Sequence, residues 1–240
     1  TVGRANYRVA EYRPPEFLVD ASARTATRFP GDTLAVAIQA RYLFGAPMGR
    51  AVVRWVARRS PVGWWDLAIP GTDGWYVGES GSWWEVDPED PDREFASGTD
   101  TLDARGQRTL RVVLPPASKG SAANVIVSAV VTDVNRQTVL ASVTTLVHPA
   151  DFYLAAKPRG ESYFWTAGTR ESIDVMAVRP AGSTVTGIRV QGTIVRREWH
   201  QVRRERDGMS ELVGSWVSDT VATCVVVTAR LPEACTFTPR

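Results

Sequence analysis

Histidine and cysteine are scarce in this chain of 240 residues, with two of each. A metal site of three or four ligands could draw on His148 and His200 only together with carboxylates. Cys224 and Cys235 lack the Cys-x-x-Cys spacing of redox and zinc motifs. A surplus of one charge is missing too: 28 Lys and Arg face 26 Asp and Glu, for a net charge of +2. No electrostatic case for a nucleic-acid partner exists at the whole-chain level. No apolar run approaches the ~20 residues of a helical membrane span, so no membrane contact by this segment is expected. No stretch of ten or so residues holds a 3.6-residue apolar period, so helix is expected to be scarce. Thr1-Val2-Gly3-Arg4 is not a signal peptide. The chain opens in what reads as the end of a strand and closes without a terminal element, as a piece of a longer protein would.

The chemistry inventory is equally short. Gly78-Glu79-Ser80-Gly81-Ser82 fails the nucleophile-elbow pattern at its last position. Phosphate-cradling and dinucleotide fingerprints are absent. Asp87, Glu89, Asp90 and Asp92 cluster, but Pro88 and Pro91 interrupt them, and the central glycine of a calcium loop is lacking. A solvated acidic loop is the expectation there. His148, before Pro149, reads as a structural histidine rather than a base or a ligand. The reading is therefore not an enzyme, with no catalytic residue, no cofactor and no metal.

What the chain does have is two-residue alternation. Leu34, Val36, Ile38, Ala40 and Tyr42 alternate with Ala35, Ala37, Gln39 and Arg41 after a Gly31-Asp32 turn. Ala51, Val53, Trp55 and Ala57 share one face of the next strand. Leu110, Val112 and Leu114 alternate, as do Val125 to Val131 and Val139 to Val147, with Asp133-Val134-Asn135-Arg136 as the turn between the last two. Short alternating strands separated by turn signals predict antiparallel β-sandwiches. The order of opening strand, glycine turn, alternating strand, glycine turn and basic strand occurs twice, around Gly31 and Gly49 and again around Gly168 and Gly187. Two tandem fibronectin- or immunoglobulin-like sandwiches are expected. The expected divisions are 1–11 as the end of a preceding domain or a shared strand, 12–147 as one sandwich, and 148–240 as a second. Residues 60–106, rich in Gly, Pro and Asp, read as an irregular insertion in the first sandwich. Arg203 to Gly208 reads as a solvated hairpin tip.

Nine tryptophans are many for this length. Trp64, Trp65, Trp83 and Trp84 lie in the irregular region, where adjacent rings on an extended chain point to opposite sides. They are candidates for surface binding of a sugar or a protein, or else a satellite cluster covering the loop. Trp55, Trp199 and Trp216 read as core or sheet-face residues. Cys224 and Cys235 bracket a short strand and a Pro-containing loop. A disulfide and a pair of reduced thiols are both open, the first requiring an oxidising compartment.

The junction segment carries more. In Glu11-Tyr12-Arg13-Pro14-Pro15-Glu16-Phe17-Leu18-Val19 the two prolines remove two backbone donors, so no ladder crosses them. Tyr12, Arg13, Pro14 and Pro15 therefore mark a rigid domain junction, and His148-Pro149 marks another. The run from Val9 to Val19 resembles the junction between macroglobulin-like domains of bacterial alpha-2-macroglobulins. The resemblance continues in Ala40-Arg41-Tyr42-Leu43-Phe44-Gly45-Ala46-Pro47, in Val131-Thr132-Asp133-Val134-Asn135-Arg136-Gln137, and in Val147-His148-Pro149-Ala150. It implies a non-catalytic scaffold segment of a protein that traps proteases after a bait is cut. It also implies a periplasmic or cell-envelope location, with a lipoprotein anchor on the parent chain. The implied partners are proteases, met through the parent, and neighbouring macroglobulin-like domains. The thioester motif of the family, Cys-x-Glu-Gln, is absent here. Family members follow the Cys-Thr-Phe-Thr-Pro region with a further strand, so a truncated second sandwich with an open sheet edge is expected. The competing expectation is an adhesive or carbohydrate-binding sandwich using the loop tryptophans.

Overall fold

The computed structural model describes residues 14–62, 66–78, 93–116, 121–160, 165–206 and 209–239. Every regular element among them is a strand. In chain order these are β1 (Phe17–Ala23), β2 (Thr33–Tyr42), β3 (Val52–Pro61), β4 (Tyr76–Val77), β5 (Arg93–Thr101), β6 (Gln107–Val113) and β7 (Ala123–Thr132). They continue with β8 (Thr138–Val147), β9 (Tyr153–Pro158), β10 (Glu171–Val178), β11 (Thr184–Val185), β12 (Arg189–Arg206), β13 (Met209–Val227) and β14 (Glu233–Phe237). Two compact units result, one from Thr1–Val62 with Asp87–Pro149, the other from Gly63–Val86 with Ala150–Arg240.

The first unit is an antiparallel sandwich. One sheet has the order β1-β2-β6, the other β5-β3-β7-β8. Alternation decides which residues meet between them. Leu34, Val36, Ile38 and Ala40 of β2 are buried while Ala35, Ala37, Gln39 and Arg41 are exposed. They share the core with Phe17, Leu110 and Val112 on their own sheet and with Val53, Ala57, Val125, Val127, Ala129 and Val131 on the facing sheet. Each fully buried Val, Leu or Phe contributes roughly 1.5–3 kcal/mol. The Asp103–Gln107 turn joins β5 to β6. The Asp103 carboxylate accepts from the amides of Arg105 and Gln107 at 2.8 and 2.9 Å. Gly106 has φ 72°, and any Cβ there would collide with the Ala40 carbonyl oxygen.

Residues 60–106 differ from the expected single insertion. Arg93–Thr101 is a full edge strand, β5, paired with β3 from Val52↔Thr101 to Arg59↔Arg93, with a register shift at Ala57/Arg58. Its sequence, Arg-Glu-Phe-Ala-Ser-Gly-Thr-Asp-Thr, has no apolar alternation, because no residue of this strand is fully buried. Gly98 is where the Trp55 ring lies against the strand; a Cβ there would come within 2.9 Å of the indole. Residues 66–78, by contrast, belong with the second unit. β4 pairs with β9 through Tyr76↔Ala156 and Val77↔Ala155, and a Cβ on Gly182 would meet the Pro70 carbonyl at 2.7 Å.

The second unit repeats the connectivity of the first. β9 and β10 pair as β1 and β2 do, β14 lies against β10 as β6 lies against β2, and β12 follows in the place of β3. β11 and β4 extend this sheet at its two ends. Tyr153, Ala155, Val175, Met176, Ala177, Val178, Cys235 and Phe237 are its buried residues along those strands. β12 and β13 form a separate two-stranded ribbon.

Candidate functional site

Three of the four motif segments named above, the junction, the Tyr42–Pro47 turn and the Asp133–Gln137 turn, meet at one end of the first sandwich. Pro14 and Pro15 are exposed and unladdered, and β1 begins two residues later. The Glu16 amide donates to Gln137 Oε1 at 3.3 Å, while the Glu16 carbonyl accepts from the Leu43 amide at 2.9 Å. Phe17, 1% exposed, then plugs the core. The incoming chain is thus held on one side by the β2–β3 turn and on the other by the β7–β8 turn. Asp133 shapes the second of these: its Oδ1 accepts from the Gln137 amide at 2.7 Å and its own amide donates to the Gln137 carbonyl at 3.0 Å. Arg136 takes φ 62° to close that turn. Asp133 Oδ2 is buried without a hydrogen-bond partner. Tyr42 and Phe44 stack with centroids 5.2 Å apart and planes 8° off parallel. Beside them Leu43, Phe44 and Val134 are exposed, the last at 88%. Tyr12 and Arg13 lie outside the described residues.

His148 sits at the other end of β8. Its amide donates to the Arg28 carbonyl at 2.8 Å, next to the Arg28↔Val147 bridge, and its ring centroid is 6.3 Å from that of Phe29. Burial pushes its pKa below 6.5, so the ring is neutral at pH 7. A neutral imidazole holding the last turn of a strand is a packing role, and Pro149 ends the ladder after it. His200 is in the other unit, exposed, with Nε2 3.5 Å from Glu198 Oε2. No cluster of three metal-ligating side chains occurs among the described residues. The shallow groove between the margins of β5 and β6 is lined by Trp55, Asp100, Arg108, Leu110 and Arg111. Two of its charges are paired with each other, with Arg108 Nε 2.7 Å from Asp100 Oδ2.

Cys224 and Cys235 form a disulfide across Cα atoms 5.7 Å apart. Cys224 lies on β13 and Cys235 on β14, so the bond ties the ribbon to the five-stranded sheet. Gly192, opposite Cys224 on β12, leaves room for the sulfurs: a Cβ there would sit 2.7 Å from Cys224 Sγ. A bond of this kind persists in an oxidising compartment.

Trp64, Trp65, Trp83 and Trp84 lie outside the described residues. The aromatic surface the structure does reveal is elsewhere. Trp199 and Trp216 face each other across β12 and β13, centroids 5.2 Å apart and planes at 62°. They are 49% and 54% exposed, a sheet-face position and not a core one. Gly214 lies under the Trp199 indole, where any Cβ would collide. The sequence did hold a signal for this pair: Trp199 and Trp216 stand almost symmetrically about Asp207-Gly208, as partners across a hairpin must.

No protein-family model matches the chain. Its sequence is 23% identical over 238 residues to an alpha-2-macroglobulin homolog of a Nostoc species, covering 97% of this chain and 12% of that protein. The native conformation of E. coli alpha-2-macroglobulin superposes with a TM-score of 0.63 at 15% identity, over 95% of this chain and 15% of that one. Salmonella alpha-2-macroglobulin reacted with methylamine gives 0.63 at 16% identity, over 96% of this chain and 16% of that one. E. coli alpha-2-macroglobulin activated by porcine elastase gives 0.61 at 17% identity, over 95% of this chain and 20% of that one. The chain spans about an eighth of the length of the curated relative it matches. In all-β architecture it has the fold of the macroglobulin-like sandwich domains of these proteins, and along nearly its whole length its sequence is similar to the bacterial alpha-2-macroglobulin family.

Proposed function

We propose that this chain is a pair of macroglobulin-like domains serving as non-catalytic scaffold in a bacterial alpha-2-macroglobulin-like protein that traps proteases. The observation that carries the reading is the meeting of three family-like segments, Pro14–Phe17, Tyr42–Phe44 and Asp133–Gln137, at the point where the chain enters the first sandwich. The joint is constrained by geometry, since the Glu16 backbone reaches Gln137 and Leu43 together. A grip of that kind passes a rotation of the preceding segment into the sandwich, where a floppy linker would dissipate it. The elastase-activated state of the E. coli relative supports a protease as the trigger of such a movement. The sequence holds no Cys-x-Glu-Gln, so covalent capture would belong to other parts of the parent. The disulfide fits an exported parent in the periplasm or cell envelope.

The test uses a full-length protein containing this segment. Elastase is added and the mixture is passed through gel filtration. Protease activity on small peptides should co-elute with the cleaved protein, and the 240-residue segment alone should neither retain elastase nor slow it. Free elution of all the protease, or stoichiometric inhibition by the segment alone, would end the proposal.

A further inference from the structure

The margin between β5 and β6 is open in the first unit, while its counterpart in the second is closed. Turn hydrogen bonds align the two repeats. The Arg50 amide donates to the Leu102 carbonyl and the Leu102 amide to that of Ala51; the Gly187 amide donates to the Thr228 carbonyl and the Thr228 amide to that of Ile188. Trp55 stands as far beyond Ala51 as Gly192 stands beyond Ile188. Their partners across the ladder are Gly98 on β5 and Cys224 on β13. In the second unit Cys224 is bonded to Cys235 of β14, the strand in the place of β6. In the first unit the Trp55 indole lies against Gly98, and a groove of about 440 Å³ runs between Trp55 and β6. That volume falls within the ~300–1,000 Å³ of ligand clefts.

One wall of this groove is backbone. β6 is the last strand of its sheet, and among the described residues no strand pairs with its outer edge. The Leu114 amide donates to the Asp32 carbonyl, and the Gly106 carbonyl accepts from the Ala40 amide. Even-numbered residues of β6 therefore bond to β2, and by antiparallel alternation Thr109 and Arg111 turn their backbone groups towards the groove. Leu110 between them is 3% exposed and shares the groove lining with Trp55, which makes the floor apolar. Arg111 is exposed and has no ion-pair partner among the described residues. A wall made of unbonded strand edge fits an extended backbone, and the free guanidinium fits a carboxylate.

We propose that this groove binds an extended segment of a partner protein, added to β6 as a further strand, in which an apolar residue is flanked on both sides by carboxylates. Backbone hydrogen bonds to Thr109 and Arg111 supply the affinity, and the side chains supply the choice of partner. Alternation fixes the pattern. The residue opposite Leu110 points inwards, onto Leu110 and Trp55, and is apolar. Its two neighbours point outwards, where one carboxylate meets Arg111 and the other accepts from the Thr109 hydroxyl. In the second unit the Cys224–Cys235 bond spans the corresponding position, so each chain takes one segment. The site does not depend on the protease-trapping reading.

The test uses the intact 240-residue chain and the fluorescently tagged peptide Thr-Val-Glu-Phe-Glu-Val-Thr. A second peptide has lysine in place of each glutamate. The acidic peptide should bind saturably, one per chain, and slow exchange of the Thr109 and Arg111 amides. The lysine peptide should bind about tenfold more weakly, because a favourable cross-strand charge pair becomes a like-charge pair. Arg111→Glu should reverse that preference. Thr109→Pro removes an outward amide without interrupting the ladder to β2, and should abolish binding of both peptides. If that variant does not fold, Arg111→Glu, at an exposed position, decides alone. No saturable binding of the acidic peptide, equal affinity for the two peptides, an unchanged preference in Arg111→Glu, or protection confined to other strands would each overturn the proposal.

Discussion

Removing the disulfide should cost the second unit much of its stability and leave the first untouched. The bond closes a loop with a sequence separation of 11. In the chain-entropy account, a loop of that size restricts the unfolded chain by about 3 kcal/mol at 25 °C. The variant Cys224→Ser with Cys235→Ala isolates this effect, since Cys235 is 3% exposed and alanine introduces no unpaired hydroxyl there. For a unit of roughly a hundred residues, a loss of about 3 kcal/mol lowers Tm by about 10 °C or more. Neither cysteine belongs to the core cluster of the first unit, so the transition of that unit should not move. Calorimetry would register one transition moving down while the other holds. Hydrogen exchange would assign the moving one to β9, β10, β12, β13 and β14. Reduction of the unmodified protein should reproduce the result. A loss below about 1 kcal/mol, or a loss spread equally over both units, would refute the view that this bond is what fastens the ribbon to the sheet.

The remaining expectations concern the first unit. Leu34→Ala empties a fully buried position and should destabilise by about 2–5 kcal/mol, measured by urea denaturation. Gly106→Ala combines a left-handed backbone with a collision at the Ala40 carbonyl; a cost of more than about 1 kcal/mol is expected from the backbone alone, again by denaturation. His148 gives a pH dependence whose sign follows from burial. Its folded pKa is below the unfolded 6.5, so between those values the unfolded chain binds a proton that the folded one does not. Stability should then fall as the pH drops through 6.5, and level off below the folded pKa. In His148→Gln the denaturation midpoint should depend less on pH across that window.

The strands legible in the sequence are those with one buried face. β2, β7 and β8 were readable because water on one side and core on the other impose a period of two. The Asp133 turn was readable because a carboxylate that accepts local amides has few other places to be. β5 was not, because its side chains lie at the margin of the sandwich and its place is set by pairing with β3, a contact between residues some 40 positions apart. The assignment of 66–78 to the second unit was hidden for the same reason: β4 contributes two residues to a ladder whose other strand comes about 80 positions later. At the junction, the sequence displayed the pieces but not their assembly. Pro14 and Pro15 announce a break, yet only the folded chain brings Gln137 to the Glu16 amide. The length of the ribbon was not readable, since exposure on both faces erases the periodicity that would have marked its strands.

The pairing of β4 with β9 governs the order in which the polypeptide can fold during synthesis. When residue 149 has left the ribosome, every strand of the first sandwich is out, but Tyr76 and Val77 still await the segment Tyr153–Pro158. The chain crosses from one unit to the other three times, so no single cut releases either as a continuous fragment. A protease that severs the connection after Pro149 would leave the halves threaded together through the stretch containing β4. A nick at that point would therefore leave the pairing of β4 with β9 in place.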